Sequence, residues 1–120
     1  MMKSTNAQKV KHWMSEAGQL NGLDSSTHHA PDVMDLQCSF IDEEYNELVQ
    51  AYANGRRDEI IKEAVDLIWV SYGLLHLLGI DADEAFGRVY ASNQTKIPFE
   101  YVDGKVQKGK NYQPPSFSDL

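Results

Sequence analysis

Two pairs of acidic residues constrain this chain more than any other feature of its sequence. Glu44 and Glu47 lie three residues apart in one stretch with helical periodicity, and Glu63 and Asp66 have the same spacing in the next. At about 100° per residue, the two members of each pair lie within roughly 60° of each other on a helix. Two neighbouring helices can therefore bring four carboxylates together.

The first pair falls where core residues are expected. On a helical projection of residues 32–54, Glu44 and Glu47 share a narrow sector with a set of apolar residues: Val33, Leu36, Phe40 and Ala51. Clustered, buried carboxylates repel one another, so they must protonate, gain cationic partners or bind a metal ion. A ligand set made only of oxygen atoms favours Mg²⁺ or Mn²⁺ over zinc. The alternative to a metal site is an amphipathic helix pair whose acids are solvated or paired with nearby cations: Arg56, Arg57 and Lys62.

Helical periodicity and capping residues predict an all-α fold of about four helices. The first begins at Thr5 or Asn6 and ends at Gly18, and a loop follows over 19–32, in which His28 and His29 are expected to be solvated. The second spans 32–54 and the third 58–78, joined by a turn so short that the two helices must be antiparallel. The fourth begins at Asp81 and ends before Pro98, with an inward stripe of four residues: Ala82, Ala85, Phe86 and Val89.

The third helix is apolar on almost every side between residues 64 and 78. A helix of this kind must be surrounded, and the other helices of one chain can cover only part of it. We therefore expect a homodimer or higher homo-oligomer whose interface is centred on residues 61–78. Three ring-bearing side chains on this helix either pack in the core or line a base pocket by stacking: Trp69, Tyr72 and His76.

The rest of the chain is expected to complete one domain, 1–120, with its core over 32–97. In the C-terminal tail, 98–120, the Asp103-Gly104 pair predicts a small hairpin. The segment 112–120, which contains Pro114 and Pro115, is expected to be extended and ordered only by docking.

Composition excludes several classes of function. Eighteen acidic residues against eleven Lys and Arg leave a net charge of −7, which argues against binding a nucleic-acid polymer. The single cysteine, Cys38, cannot form an intramolecular disulfide and is expected to pack on its helix, in a reducing, cytoplasmic setting. Residues 1–11 lack the apolar segment of a secretory signal, and the apolar run 64–78 is too short to span a membrane.

The order of these motifs resembles that of the all-α nucleoside triphosphate pyrophosphohydrolases, a superfamily that includes MazG-like proteins, dimeric dUTPases and phosphoribosyl-ATP pyrophosphohydrolases. Glu43-Glu44-x-x-Glu47 is followed, after fifteen residues, by Glu63-x-x-Asp66. Further matching segments are Ala64-Val65-Asp66-Leu67-Ile68, Leu78-Gly79-Ile80-Asp81, Ser92-Asn93-Gln94-Thr95-Lys96, Gly104-Lys105-Val106-Gln107-Lys108-Gly109 and Tyr112-Gln113-Pro114-Pro115.

The resemblance implies roles for particular residues. Four acids would hold Mg²⁺: Glu44, Glu47, Glu63 and Asp66. Glu43 would be a further ligand or the base that orients water, Asn93 and Lys96 would contact the phosphates, and two chains would pair their central helices. The implied reaction converts a nucleoside triphosphate or deoxynucleoside triphosphate to a monophosphate and pyrophosphate. Phosphoribosyl-ATP is the alternative substrate, and a non-catalytic helical interaction module is the alternative from another class.

Overall fold

The computed structural model describes residues 3–21 and 31–120, and its fold class is all-α, as predicted. The helices are α1 (Asn6–Glu16), α2 (Pro31–Ala53), α3 (Arg57–Leu77) and α4 (Ala82–Gln94), followed by two short strands, β1 (Tyr101–Val102) and β2 (Lys105–Val106). The chain divides into two compact units, Met1–Ile80 and Asp81–Leu120. His28 and His29 lie outside the described residues.

Helix α1 begins and ends as its sequence predicts. The hydroxyl of Thr5 accepts a hydrogen bond from the amide of Gln8 at 3.1 Å, and the Gln8 side chain accepts one from the amide of Thr5 at 2.9 Å. This capping box satisfies amide groups that the first helical turn leaves unpaired. After the helix, Gly18 adopts φ 79°, a left-handed conformation that costs little without a Cβ atom.

Helix α1 packs its apolar face on α3. Val10 and Met14 form a buried cluster with Leu77, and Trp69 and Tyr72 pack against that cluster. The rings of Trp13 and Trp69 meet edge to face, with their centroids 5.5 Å apart. His76 is buried, and its Nε2 lies 2.8 Å from the carbonyl oxygen of Ala7. All three ring-bearing side chains therefore contact α1 or pack against its buried cluster. A base-pocket role for them stays a prediction.

Helices α2 and α3 pack antiparallel along a seam with a seven-residue repeat. Gln37 and Ala51 are buried and Glu44 is half-buried, so these three residues face α3. The Gln37 side chain donates a hydrogen bond from Nε2 to the carbonyl oxygen of Val70 at 2.8 Å. Gly73 permits this approach, because a Cβ atom there would lie 2.6 Å from that nitrogen.

This seam corrects the predicted core sector of α2. Leu36 was expected in the core but is 56% exposed, and Glu47 is exposed as well. The side that faces α3 is rotated by roughly 50° from the predicted sector, because the buried amide of Gln37 occupies the interface and is satisfied there. Cys38 is exposed on a side of α2 that faces away from this seam, so its predicted packing role is wrong.

The second unit consists of α4 with the tail folded onto it. Asp81 caps the helix by accepting hydrogen bonds from the amides of Asp83 and Glu84, at 3.0 and 3.1 Å. Ala82 and Ala85 are buried as predicted, but the inward stripe does not include Phe86 and Val89, which are 64% and 42% exposed. The buried side of α4 is turned toward Ser92 instead, because the tail occupies that side.

The tail is ordered by docking, as predicted. The guanidinium of Arg88 contacts both carboxylate oxygens of Asp119, at 2.6 and 3.1 Å, and the hydroxyl of Ser92 donates a hydrogen bond to the carbonyl of Gln113 at 2.6 Å. Between helix and tail, Asp103 and Gly104 form the predicted turn with φ 53° and 79°, and the two strands pair antiparallel.

No single helix in the described part of the chain is long and apolar enough to cross a membrane, although α3 and α4 taken together meet the criteria of length and composition.

Candidate metal centre

Three carboxylates meet where α2 faces α3. Glu44 from α2 and Glu63 and Asp66 from α3 each offer an oxygen atom, and these atoms lie within 4.8 Å of one another. The spacing of three residues places both α3 acids on the same face, and the antiparallel packing brings Glu44 opposite them. These three residues are called the acidic cluster below.

The acidic cluster contains polar atoms that lack partners. Oε2 of Glu44 and Oε2 of Glu63 are buried and accept no hydrogen bond from any described residue. Burying an unsatisfied carboxylate oxygen costs free energy, and a cation close to both atoms would remove that cost. Carboxylate oxygens are also the ligands that Mg²⁺ and Mn²⁺ prefer. The residues present therefore fit a divalent metal ion.

The electrostatics of the cluster favour protonation when no cation is bound. Burial raises the pKa of Glu44 from 4.5 to about 7, helped by a hydrogen bond to the Glu47 carboxylate and by the negative charges of Glu47, Asp66 and Glu63. Glu44 therefore takes up a proton more readily than an ordinary glutamate does. A cation would stabilise the ionised form of Glu44, so metal ions and protons compete for it.

Glu47 belongs to the surroundings of the cluster in this structure. Its carboxylate is within hydrogen-bonding reach of Glu44, but it is not one of the three residues whose oxygen atoms converge. Its role as a fourth metal ligand stays a prediction.

Lys62 forms ion pairs with the cluster, as expected if its acids are simply paired with nearby cations and bind no metal ion. Its ammonium nitrogen lies 2.7 Å from Oδ2 of Asp66 and 3.5 Å from Oε1 of Glu63. The Lys62 side chain is 68% exposed, and solvent screens such a pair so strongly that it contributes little. Arg56 pairs with Glu59 rather than with the cluster. Because the buried Oε2 atoms remain unpartnered, Lys62 does not substitute for a metal ion.

A cavity of about 410 Å³ opens beside the cluster, with Glu63 belonging to both. Its other lining residues are Glu43, Asn46, Glu47, Gln50 and Ala51 from α2, Asn54 directly after that helix, and Glu59 from α3. The sequence prediction named Glu43, Glu47 and Glu63 among the site residues but did not include the amides Asn46, Gln50 and Asn54. Their signal was available, since residues 43, 46, 47, 50 and 54 follow the spacing of one helix face. The arrangement provides hydrogen-bonding side chains and acids next to a candidate cation site.

The two predicted phosphate contacts lie in the second unit. Asn93 is exposed near the end of α4, and Lys96 follows the helix with its ammonium nitrogen 5.8 Å from the centroid of the Tyr112 ring. Contact between these residues and a phosphate group stays a prediction.

The region that contains the acidic motifs matches a known protein family. A sequence model of the phosphoribosyl-ATP pyrophosphohydrolase family matches residues 23–93, which include the whole acidic cluster together with Glu43 and Glu47. None of the curated proteins compared with the chain matches it significantly. The family match covers more than half of the chain and contains both acid pairs in order. The chain therefore belongs to the phosphoribosyl-ATP pyrophosphohydrolase family of the MazG-like superfamily and is a hydrolase that acts on phosphoric anhydride bonds.

Proposed function

We propose that this protein hydrolyses a nucleoside triphosphate or deoxynucleoside triphosphate to the monophosphate and pyrophosphate, with Mg²⁺, or Mn²⁺ in its place. The observation that carries the proposal is the acidic cluster, in which oxygens of Glu44, Glu63 and Asp66 lie within 4.8 Å and two buried oxygens lack partners. A non-catalytic interaction module would not need such a cluster, and family membership favours a hydrolase. The family description fits phosphoribosyl-ATP equally well, and this compound is the second candidate substrate.

The proposed metal ligands are the three residues of the acidic cluster, with Glu47 as the fourth. When bound, the cation supplies positive charge that neutralises the substrate phosphates and polarises the attacking water. The chain itself has to hold the ligands in place, and the antiparallel packing of α2 on α3 supports this role because the ligands come from rigid helices.

The remaining polar residues are assigned to proton transfer and binding. Glu43 lines the cavity and is proposed to accept a proton from the water that attacks the α-phosphorus. A bond forms between the water oxygen and that phosphorus, and the bond to the bridging oxygen breaks, so pyrophosphate leaves with the electron pair. Asn93 and Lys96 are proposed to contact the phosphates, and the amides of Asn46, Gln50 and Asn54 to bind other polar groups of the nucleotide.

The bond that breaks can be identified with ¹⁸O-labelled water. Attack at the α-phosphorus should place the label in the nucleoside monophosphate and leave the pyrophosphate unlabelled. The reaction is run with Mg²⁺ over a panel of nucleotides that includes phosphoribosyl-ATP, and the preferred substrate decides between the two candidates. Label in the pyrophosphate, or stepwise release of orthophosphate, would contradict the proposed reaction.

Metal binding should depend on pH through Glu44. Folding raises the pKa of Glu44 from 4.5 to about 7, so the folded protein favours the protonated form of this residue. In the metal-free protein this stabilisation is complete below pH 4.5 and is lost as the pH rises to about 7. A cation that keeps Glu44 ionised removes this loss. Millimolar Mg²⁺ should therefore raise the melting temperature more at about pH 8 than at about pH 6. Equal shifts at both pH values, measured by differential scanning fluorimetry, would count against Glu44 as a ligand.

We also propose that the active unit is a homodimer or larger homo-oligomer. Ile61, Val65 and Ile68 recur on one face of α3 and are 47%, 53% and 54% exposed. A stripe of large apolar side chains exposed along the central helix supports burial against a second copy.

A further inference from the structure

A second polar cavity lies in the C-terminal unit, among residues that the family match does not include. It has a volume of about 470 Å³ and is lined by three cations, Lys96, Lys108 and Lys110. The other lining residues are Ile97, Pro98, Glu100, Gly109 and Asn111. These residues form the lysine cavity. Its three ammonium groups and one carboxylate give it an excess of positive charge in a chain whose net charge is −7.

No carboxylate among the described residues forms an ion pair with the lysines of this cavity. Lys62, Arg56 and Arg88 each form an ion pair with a carboxylate, whereas no ion pair within 4.0 Å joins Lys96, Lys108 or Lys110 to any described residue. Glu100 lines the same cavity without pairing with any of them. Their positive charge is therefore available to a ligand.

An aromatic ring positions two of the three cations. The ammonium nitrogens of Lys96 and Lys108 lie 5.8 and 5.2 Å from the centroid of the Tyr112 ring. The face of an aromatic ring attracts a cation but leaves its hydrogen-bond donors unused. The adjoining Gln113 is held on α4, because its amide donates to the hydroxyl of Thr95 at 2.8 Å and its carbonyl accepts from Ser92. Both ammonium groups thus lie close to the Tyr112 ring before any ligand arrives.

We propose that the lysine cavity binds a polyphosphate anion. Ammonium groups act as compact point charges with three donors each, and several of them around one cavity suit a small anion that carries several charges. A singly charged anion would gain less from them and would still meet the carboxylate of Glu100. The polyphosphate has two possible sources, the triphosphate chain of a nucleotide or free pyrophosphate, and both rest on the proposed function.

Isothermal titration of the full chain with inorganic pyrophosphate tests this proposal. The titration is done with EDTA and without Mg²⁺, so it reports on the lysine cavity without metal or turnover. Replacing Lys108 and Lys110 together by alanine should weaken pyrophosphate binding by at least about tenfold. The matched control is Lys105→Ala, because Lys105 lies on β2, is exposed and does not line the cavity. The control should change the affinity by less than about twofold.

A second titration distinguishes the two sources. It uses a nucleoside triphosphate whose bridge between the α- and β-phosphorus is a methylene group. If the double variant also loses affinity for this nucleotide, and the nucleotide competes with pyrophosphate, the cavity binds the triphosphate of the substrate. If only pyrophosphate binding falls, the cavity binds the product.

Two results would overturn the proposal. One is a double variant whose affinity for pyrophosphate is unchanged. The other is a Lys105→Ala variant that loses as much affinity for pyrophosphate as the double variant does, because such a loss would show only general charge attraction. A protein that binds pyrophosphate through these lysines but hydrolyses no nucleotide would contradict the proposed function alone. An active enzyme with unchanged pyrophosphate affinity in the double variant would contradict the lysine cavity alone.

Discussion

Glu44→Gln is expected to lower kcat/KM by at least about 100-fold and, at the same time, to raise the melting temperature of the metal-free protein. The activity falls because the substitution removes a proposed metal ligand. The metal-free protein gains stability because the other acids of the cluster no longer repel a charge at this position, where burial already raises the pKa to about 7. The increase in melting temperature on adding Mg²⁺ should disappear in the same variant.

The control for this variant is Asp42→Asn. Asp42 lies on the same helix and loses the same charge, but it is exposed and belongs neither to the acidic cluster nor to the cavity beside it. It should keep the activity and the Mg²⁺ response of the unmodified protein. If Glu44→Gln retained activity within about threefold of the unmodified protein, Glu44 would not be a metal ligand.

Ile68→Glu is expected to separate the oligomer into monomers and to abolish most of the activity. Ile68 is 54% exposed within one chain, so a charged side chain there does not disturb the core of the unit. Buried against a second copy, the same carboxylate would lack a partner and would break the interface. Light scattering should report twice the 13.6 kDa of one chain, or more, for the unmodified protein and 13.6 kDa for the variant.

Val102→Glu is the matched control for the interface. Val102 is 55% exposed but lies on β1, outside the apolar stripe of α3. Its substitution should preserve both the molecular mass and the activity. An unmodified protein that is active as a monomer at micromolar concentration would contradict the proposed interface and would leave the exposed stripe without a role.

The features that the sequence predicted correctly depend on residues close together in the chain. The start of α1 at Thr5 and of α4 at Asp81 follows from side chains that bond to amides two or three residues away. The hairpin follows from Asp103 and Gly104, which adopt the left-handed conformations of its turn. The spacing of Glu63 and Asp66 likewise placed both acids on one face before any partner helix was known.

Tertiary contacts decided which of the predicted residues come together. Sequence periodicity could not establish how far α2 is rotated, because Leu36 and Gln37 are neighbours separated by about 100° on the helix and either could face α3. Gly73 leaves room for the Gln37 amide that donates to the carbonyl of Val70, because a Cβ atom at residue 73 would lie 2.6 Å from its Nε2. That rotation turns Glu44 toward Glu63 and Asp66 and leaves Glu47 exposed.

In the second unit, too, contacts between residues far apart in the chain decided which side of a helix is buried. Periodicity predicted Phe86 and Val89 on the buried side of α4, but the tail docks through Arg88 and Ser92 and buries a different side. Arg88 and Asp119 are far apart in the chain, and nothing local indicates that they pair. Local sequence therefore determined the helices, their ends and the spacing of the acids, whereas the burial of each face depended on contacts between distant residues, whose free energies outweigh the small local preferences.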